Sequence, residues 1–355
     1  MASLRVVNRL VCRGFIVLTL LLMFFNEVLI YYIAQSRWHS IDCQHENCTR
    51  VLLIADPQIL GNSYDRSSHS PLARYDSDRY LQKSFERAIS FTQPHIIVFL
   101  GDLLDEGNIA TAQEYKQYVK RFKRIFQNKK ITKRVHVPGD NDIGGDNGDY
   151  ISNSNQRRFE NEFMSEDLFD YDNHLRFFKI NRMLLDFTNP DKDNNADRLR
   201  IGVSHAPLLI GGGPLLRAII SDLDPHIIFS GHWHESRIFI YPSTKVINFY
   251  ENAVRHFDLK ALKEQDHSYL EIMVPTCSYR MGKSKIGMGY AVLEDYNLSY
   301  TVLWQPNRFI LLFTYVFWGL FVLCGGIVYK MMTRCPFRVV KRHTQYSRVS
   351  NVPQF

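Results

Sequence analysis

The sequence predicts an α/β fold: a layered α/β core carried between two membrane helices. Three observations predict it. Short apolar runs alternate with helical patterns from Arg50 to about Asn297. An apolar run with no charge lies towards one end of the chain, and a less clean one towards the other. Aspartates and histidines stand just past the ends of successive apolar runs.

The first apolar run, Gly14 to Ile33, begins "GFIVLTLLLMFF" and is interrupted at Asn26 and Glu27. A cleaved signal peptide is the competing reading. No small-x-small site follows the run, so an uncleaved signal anchor over 14–33 is expected. Glu27 is expected near the far interface or paired within the bilayer. The second run, Phe309 to Tyr329, has 21 residues and no charge. As a helix it is long enough to cross roughly 30 Å of hydrocarbon.

Arg5, Arg9 and Arg13 precede the first run, and Lys330, Arg334, Arg338, Lys341, Arg342 and Arg348 follow the second. These flanks supply much of the net charge of +7. The positive-inside rule then places 1–13 and 330–355 in the cytoplasm and 35–308 on the lumenal side. No basic stripe interleaved with aromatic residues stands out, so no nucleic-acid partner is expected. Two glycosylation sequons, "NCT" at Asn47 and "NLS" at Asn297, fall within the lumenal segment. Cys43 and Cys48 would face an oxidising compartment, where a small disulfide is open to them, and Cys277 has no obvious partner.

Within the central segment, Val51–Ala55 reads as a strand. Asp78–Phe91 carries Tyr80, Leu81, Phe85, Ala88 and Ile89 at helical spacing. His95–Leu100 is a second strand, Tyr115–Phe126 an amphipathic helix and Arg134–Val137 a third strand. Further strands start at Arg200, His226 and Lys245. Shorter connections among these later strands predict a mixed two-layer core. Asn189–Arg198 reads as a solvated loop, and "GGGP" at Gly211–Pro214 as a turn or active-site edge.

Asp56 follows the first strand, Asp102 and Asp105 the second, and Asp140, Asn141 and Asp142 the third. His205 follows the fourth, and His232 and His234 the fifth. Strand ends of an α/β sheet converge on one crevice, so residues far apart in sequence can share a site. Carboxylates with neutral imidazoles suit divalent metals. Two ions roughly 3.5–4 Å apart neutralise phosphoryl charge and generate hydroxide from water. A dinuclear metal site is expected, with Asp102 as the bridging candidate because a glycine precedes it. The alternation in "HWH" predicts two imidazoles on one side of an extended segment.

The series "DPQ", "GDLLDEG", "GDND", "SHAP" and "GHWH" resembles the calcineurin-like metallophosphoesterases over roughly Val51 to Tyr250. With "IADPQILG", "FLGDLLDEG" and the two flanking spans, the chain more narrowly resembles the metallophosphoesterase 1 group. The resemblance implies a calcineurin-like metallophosphoesterase core anchored by N- and C-terminal transmembrane helices. It also implies residence between endoplasmic reticulum and Golgi. The implied chemistry is removal of ethanolamine phosphate from a mannose of glycosylphosphatidylinositol (GPI) anchors, with two divalent ions, manganese above all. One metal would take Asp56, Asp102 and His234, and the other Asp102, Asp140, His205 and His232.

Two departures qualify that map. Gln58 stands where the family carries a histidine. "GDND" replaces Gly-Asn-His-Asp, so Asp140 falls at the asparagine ligand and Asn141 at the histidine that contacts phosphate. In the alternative register Asn141 is the ligand. Asn141 can donate a hydrogen bond but no proton, and loss of a general acid costs about 10²–10⁴ in rate. Asp142 is the candidate substitute acid. A lumenal phosphoesterase with another substrate, or a non-catalytic trafficking protein, remains the alternative. "YSRV", Tyr346–Val349, offers the tail a contact to cargo receptors or coat adaptors.

Overall fold

The computed structural model describes residues 2–334 apart from 46, 65–66, 129–131, 146–148, 165, 188–197, 212, 244 and 267. Most of the solvated loop at 189–198 and the tail motif at 346–349 lie outside the described residues. Two compact units are present, Met1–Leu20 with Ile310–Phe355, and Leu21–Phe309.

The first unit is helical. It holds the start of α1 (Ala2–Phe24) and most of a long apolar helix ending at Arg334. Trp318 Nε1 donates to Thr19 Oγ1 at 2.9 Å, and Phe15 lies 6.1 Å from the Trp318 ring. Leu10–Gln35 and Arg308–Met331 are each long and apolar enough to cross a membrane. These two segments support membrane association.

The second unit carries two mixed sheets. In chain order the strands are β1 (Cys48–Ile54), β2 (Ile96–Leu100), β3 (Lys133–Val137), β4 (Leu168–Tyr171), β5 (Leu175–Asn181), β6 (Asp186–Phe187) and β7 (Leu199–Val203). They continue as β8 (Ile227–Ser230), β9 (Arg237–Tyr241), β10 (Lys245–Asn248), β11 (Arg255–Asp258), β12 (Tyr269–Met273), β13 (Gly287–Glu294) and β14 (Asn297–Trp304). One sheet has the order β11-β14-β13-β1-β2-β3, the other β10-β9-β12-β8-β7-β5-β4. Strands β1, β2 and β3 are parallel, as are β5, β7, β8 and β12.

The two sheets share one core. Val51, Leu53, Val98 and Leu100 of the first cluster with Phe177, Ile201, Phe229 and Ile272 of the second. Alternate residues of the same strands face helices. Phe99 packs edge-on against Phe126 of the segment closing α4 (Ala112–Ile125, after α2, Ile30–Gln35, and α3, Ser70–Thr92), with ring centroids 5.2 Å apart. Ile180 and Ile228 pack on Leu216, Ile219 and Ile220 of the helix Pro214–Leu223. The architecture is therefore helix, sheet, sheet, helix, not the two layers expected. Strands β12, β13 and β14 complete the sheets but carry no strong turn signal in the sequence.

Local chemistry starts and stops the helices. Thr111 Oγ1 accepts from Glu114 N and Glu114 Oε2 accepts from Thr111 N, a reciprocal cap on α4. Lys123 and Arg124 sit in its last turn, favourable to the helix dipole. Pro71 lies in the first turn of α3, and left-handed Gln93 ends it. Cys43 and Cys48 form a disulfide, and both sequon asparagines, Asn47 and Asn297, are exposed.

Candidate metal centre

Five strand ends supply the site. Strand β1 delivers Asp56, β2 Asp102, β3 Asp140, β7 His205, and β8 both His232 and His234. Hydrogen bonds tie these ends together. Gln58 N donates to Asp102 O at 2.9 Å, and Gly231 N to His205 O at 2.8 Å. Asp56, Gln58, Asp102, His232 and His234 take φ of 48, 42, 51, 69 and 60°. Left-handed non-glycine residues cost about 1–3 kcal/mol each and persist where the surroundings over-determine them, typically at functional sites.

Two glycines make the approach of the strands feasible. A Cβ on Gly101 would lie 2.4 Å from His205 Nδ1, and one on Gly139 would lie 2.1 Å from Asp102 Oδ1. The Gly-Asp pairs of the sequence thus leave room for the ligand of a neighbouring strand.

The donor atoms form two groups, each within 4.8 Å throughout: Asp56, Asp102 and His205, and Asp140, His205 and His232. His205 Nδ1 pairs with Leu100 O at 2.8 Å, which turns Nε2 towards Asp140 Oδ1 at 2.9 Å and Asp102 Oδ1 at 3.4 Å. His232 Nδ1 lies 3.1 Å from Asp140 Oδ1. Its backbone N–H donates to both oxygens of Asp56 at 3.2 Å.

Asp56 and Asp102 are 0% and 2% exposed. Burial pushes both carboxyls up, Asp56 well above the usual range, and each is further raised by a neighbouring acid. For His205, burial disfavours the charged ring, but Asp102, Asp140 and Asp56 outweigh it and raise it to about 10. Burial raises Asp140 too, yet hydrogen bonds from His205 and His232 bring it below the usual range. Buried acids packed this closely need compensating positive charge. The oxygen and imidazole donors suit divalent cations, so two candidate divalent-metal sites are present.

The structure brings the six residues expected as ligands to one edge. The expected map put His234 beside Asp56 and Asp102. His234 Nε2 stands 3.6 Å from Asp56 Oδ1 and 3.5 Å from Gln58 Nε2, while His205 turns Nε2 towards Asp140. The "HWH" segment is not extended. Its left-handed turns send His232 to Asp140 and His234 to Asp56.

Asn141 lies against Asp102. Its N donates to Oδ1 at 3.0 Å and its Nδ2 to Oδ2 at 2.8 Å, while Gln58 Nε2 reaches the same Oδ2 at 3.1 Å. Asp142, expected as a substitute proton donor, is occupied elsewhere. Its carboxylate accepts from Gly139 N at 2.9 Å, Leu103 N at 3.1 Å and Leu104 N at 3.0 Å. Burial and the nearby Asp102 raise it to about 7 against those three bonds. It pins the "GDND" turn to the "GDLL" turn.

Sequence reasoning missed the segment after β12. Thr276 Oγ1 donates to Asp56 O at 2.8 Å and Cys277 N to Ala55 O at 3.0 Å. Its only sequence signal was Cys277, which carries no ligand role here.

Comparison with known proteins gives a consistent picture. The family pattern described as calcineurin-like phosphoesterase matches residues 49–236. A metallophosphoesterase 1 of Macaca fascicularis is 27% identical over 194 residues, 52% of this chain and 47% of that protein. The Danio rerio metallophosphoesterase 1 is 30% identical over 34% of this chain and 31% of its own length. The chain thus spans about half the length of the curated relatives it matches, or less. A purple acid phosphatase from yellow lupin shows 12% identity and a TM-score of 0.45 over 74% of this chain and 53% of its own. The matched residues exceed half of the 355 and include all three aspartates and three histidines of the centre, and the chain belongs to the calcineurin-like phosphoesterases.

Proposed function

We propose that this protein is a metal-dependent phosphodiesterase that removes ethanolamine phosphate from a mannose of GPI anchors. The observation that carries the hydrolase reading is the pair of donor groups sharing His205, built on buried Asp56 and Asp102. Asp56, Asp102 and His234 would hold one ion, His234 Nε2 standing 3.6 Å from Asp56 Oδ1. Asp102, Asp140, His205 through Nε2, and His232 would hold the other. Asp102 stands between the groups, 3.4 Å from His205 Nε2, as suits a bridging carboxylate. Bound divalent ions, manganese for preference, supply charge neutralisation at the phosphoryl oxygens and an acidified water.

The protein's own residues fix the geometry. Leu100 O orients His205, and Asp142 holds the turn that presents Asp140 and Asn141. The Asn141 amide, which donates to Asp102 Oδ2 at 2.8 Å here, would be the hydrogen-bond donor beside that carboxylate for a phosphoryl oxygen. A lipid-linked substrate fits a chain with two long apolar helices, read as spans with the catalytic unit lumenal. Exposed sequons at Asn47 and Asn297 agree with that side. Contact of the tail with cargo receptors or coat adaptors would support passage from endoplasmic reticulum to Golgi.

The test is turnover by the purified full-length chain in detergent, stripped with chelator and reloaded with manganese. The substrates are a mannose glycan bearing ethanolamine phosphate and bis(p-nitrophenyl) phosphate, with Asp102→Asn as control. Turnover of the glycan that disappears in Asp102→Asn supports the proposal. Turnover of the generic diester alone assigns another lumenal phosphoester. Bound metal with no turnover favours a non-catalytic trafficking role.

A further inference from the structure

The segment from Val274 to Gly282 is sewn to the metal centre along its first half. Val274 N donates to Ser230 O at 2.7 Å, Cys277 N to Ala55 O at 3.0 Å, and Ser278 N to Thr276 Oγ1 at 3.1 Å. Ser230 and Ala55 lie two residues before His232 and one before Asp56. A single 3₁₀ turn, Tyr279–Met281, follows. Tyr279 is anchored in the core: its hydroxyl donates to Asp76 Oδ2 at 2.8 Å, and its ring packs edge-on against Tyr80 and Phe309 at 5.2 and 5.1 Å.

Arg280 is the next residue, and it is half-buried. Among the described residues its guanidinium makes no hydrogen bond and no ion pair. Two other cations, Lys283 and Arg237, are already paired. Lys283 Nζ binds Glu235 Oε1 at 2.6 Å, and Arg237 binds the other oxygen of Glu235. Asp105, three residues after Asp102, is within electrostatic reach of it: burial, Glu106 and Asp102 raise Asp105 to about 7, and Arg280 opposes that rise. The hydrogen bonds of its segment to Ala55, Asp56 and Ser230 carry the Arg280 backbone close to the strand ends that bear the centre.

A half-buried guanidinium without a partner is poorly solvated, and an anion would relieve that cost. Its planar fork matches two phosphoryl oxygens. We infer that Arg280 grips the non-bridging oxygens of the substrate's phosphoryl group, a recognition role that rests on the phosphoesterase reading above. The turn that carries it is fixed at one end by Asp56 and at the other by Tyr279.

The experiment uses the full-length chain with manganese, bis(p-nitrophenyl) phosphate as ester and inorganic phosphate as inhibitor. Arg280→Ala should raise KM for the ester and the inhibition constant for phosphate together, by about 10- to 100-fold. Bound manganese should stay at the wild-type level. Arg280→Lys, which keeps the charge but not the fork, should fall between. Added guanidinium ion should restore part of the Ala variant's activity and none to wild type, which a purely structural role would not allow. Unchanged KM and unchanged phosphate inhibition in a metal-loaded Ala variant overturn this inference while leaving the phosphoesterase reading intact. A wild-type chain silent towards every ester overturns that reading, and this inference with it.

Discussion

Arg308 Nη2 donates to Glu27 Oε1 at 2.7 Å across 281 residues of sequence, joining the segment that enters one apolar helix to the segment that leaves the other. Arg79 and Lys83 of α3 also approach Glu27, each at 3.2 Å. On its other side Arg308 binds Asp76 at 2.5 Å, and Asp76 accepts the Tyr279 hydroxyl. One ionic chain therefore runs from the roots of both apolar segments to the turn bearing Arg280.

Breaking that chain should weaken both stability and substrate binding. Arg308 is 4% exposed, and removing one partner of a buried ion pair costs about 3–5 kcal/mol. Arg308→Met should lower the melting temperature of the full chain by roughly 6–12 °C and raise KM for a phosphodiester. Glu27→Gln, which keeps a hydrogen-bonding oxygen, should cost less. A melting temperature within a degree of wild type for Arg308→Met would show that the chain contributes nothing. A fragment starting at residue 35 lacks Glu27 and should melt below the full-length protein.

Asp142 separates two roles by a single substitution. Asp142→Asn keeps one acceptor but turns an NH₂ towards backbone N–H groups that the carboxylate now satisfies. We expect a loss of about 1–3 kcal/mol in stability, read by urea denaturation, with a pH–rate profile of unchanged shape. Normal stability with a lost alkaline limb in that profile would instead make Asp142 the proton donor.

Metal loading should release protons. Asp102, Asp140 and Asp56 overcome the effect of burial and hold His205 protonated up to about pH 10. A ligand imidazole must give up that proton. Below that value a proton is displaced on binding, so apparent affinity rises with pH and falls on acidification, by about tenfold per unit per proton. The raised carboxyls of Asp56 and Asp102 act in the same direction. Titration calorimetry with manganese in two buffers of different ionisation enthalpy reads the proton count. Equal heats in both buffers would contradict it.

The site was more legible in the sequence than its detailed partition. Asp56, Asp102, Asp140, His205, His232 and His234 each follow an apolar run, and parallel strands can bring such residues to one edge. Which carboxylate meets which imidazole was not legible, because it depends on left-handed residues such as His232 and His234 that redirect side chains locally. The span at 14–33 was read from hydropathy alone. Its second half packs on the protein, with Asn26 and Tyr31 buried and Tyr32 bonded to Arg87. The polar pair Asn26 and Glu27 was the mark of that change. Arg280 has no signal in the sequence, since a lone arginine carries no periodicity; only the hydrogen bonds from its segment to Ala55 and Asp56 relate it to the centre.

Asn141 is the clearest point at which a departure from the family pattern can be reversed. Its side chain donates to Asp102 and cannot supply a proton to a leaving oxygen. Nitrophenolate leaves readily without one, whereas an alkoxide such as a sugar hydroxyl does not. Asn141→His should therefore change the two classes of ester unequally. We expect kcat for alkyl phosphodiesters to rise by up to about 10²-fold, the lower end for general acid catalysis, with little change for nitrophenyl esters. The gain should follow the protonated imidazole and decline as pH rises past its pKa, near the ordinary histidine range of about 6–7. Equal effects on both ester classes would place the limiting step elsewhere. A fall in both, with bound manganese reduced, would mean that the Asn141–Asp102 contact serves to hold Asp102 in place.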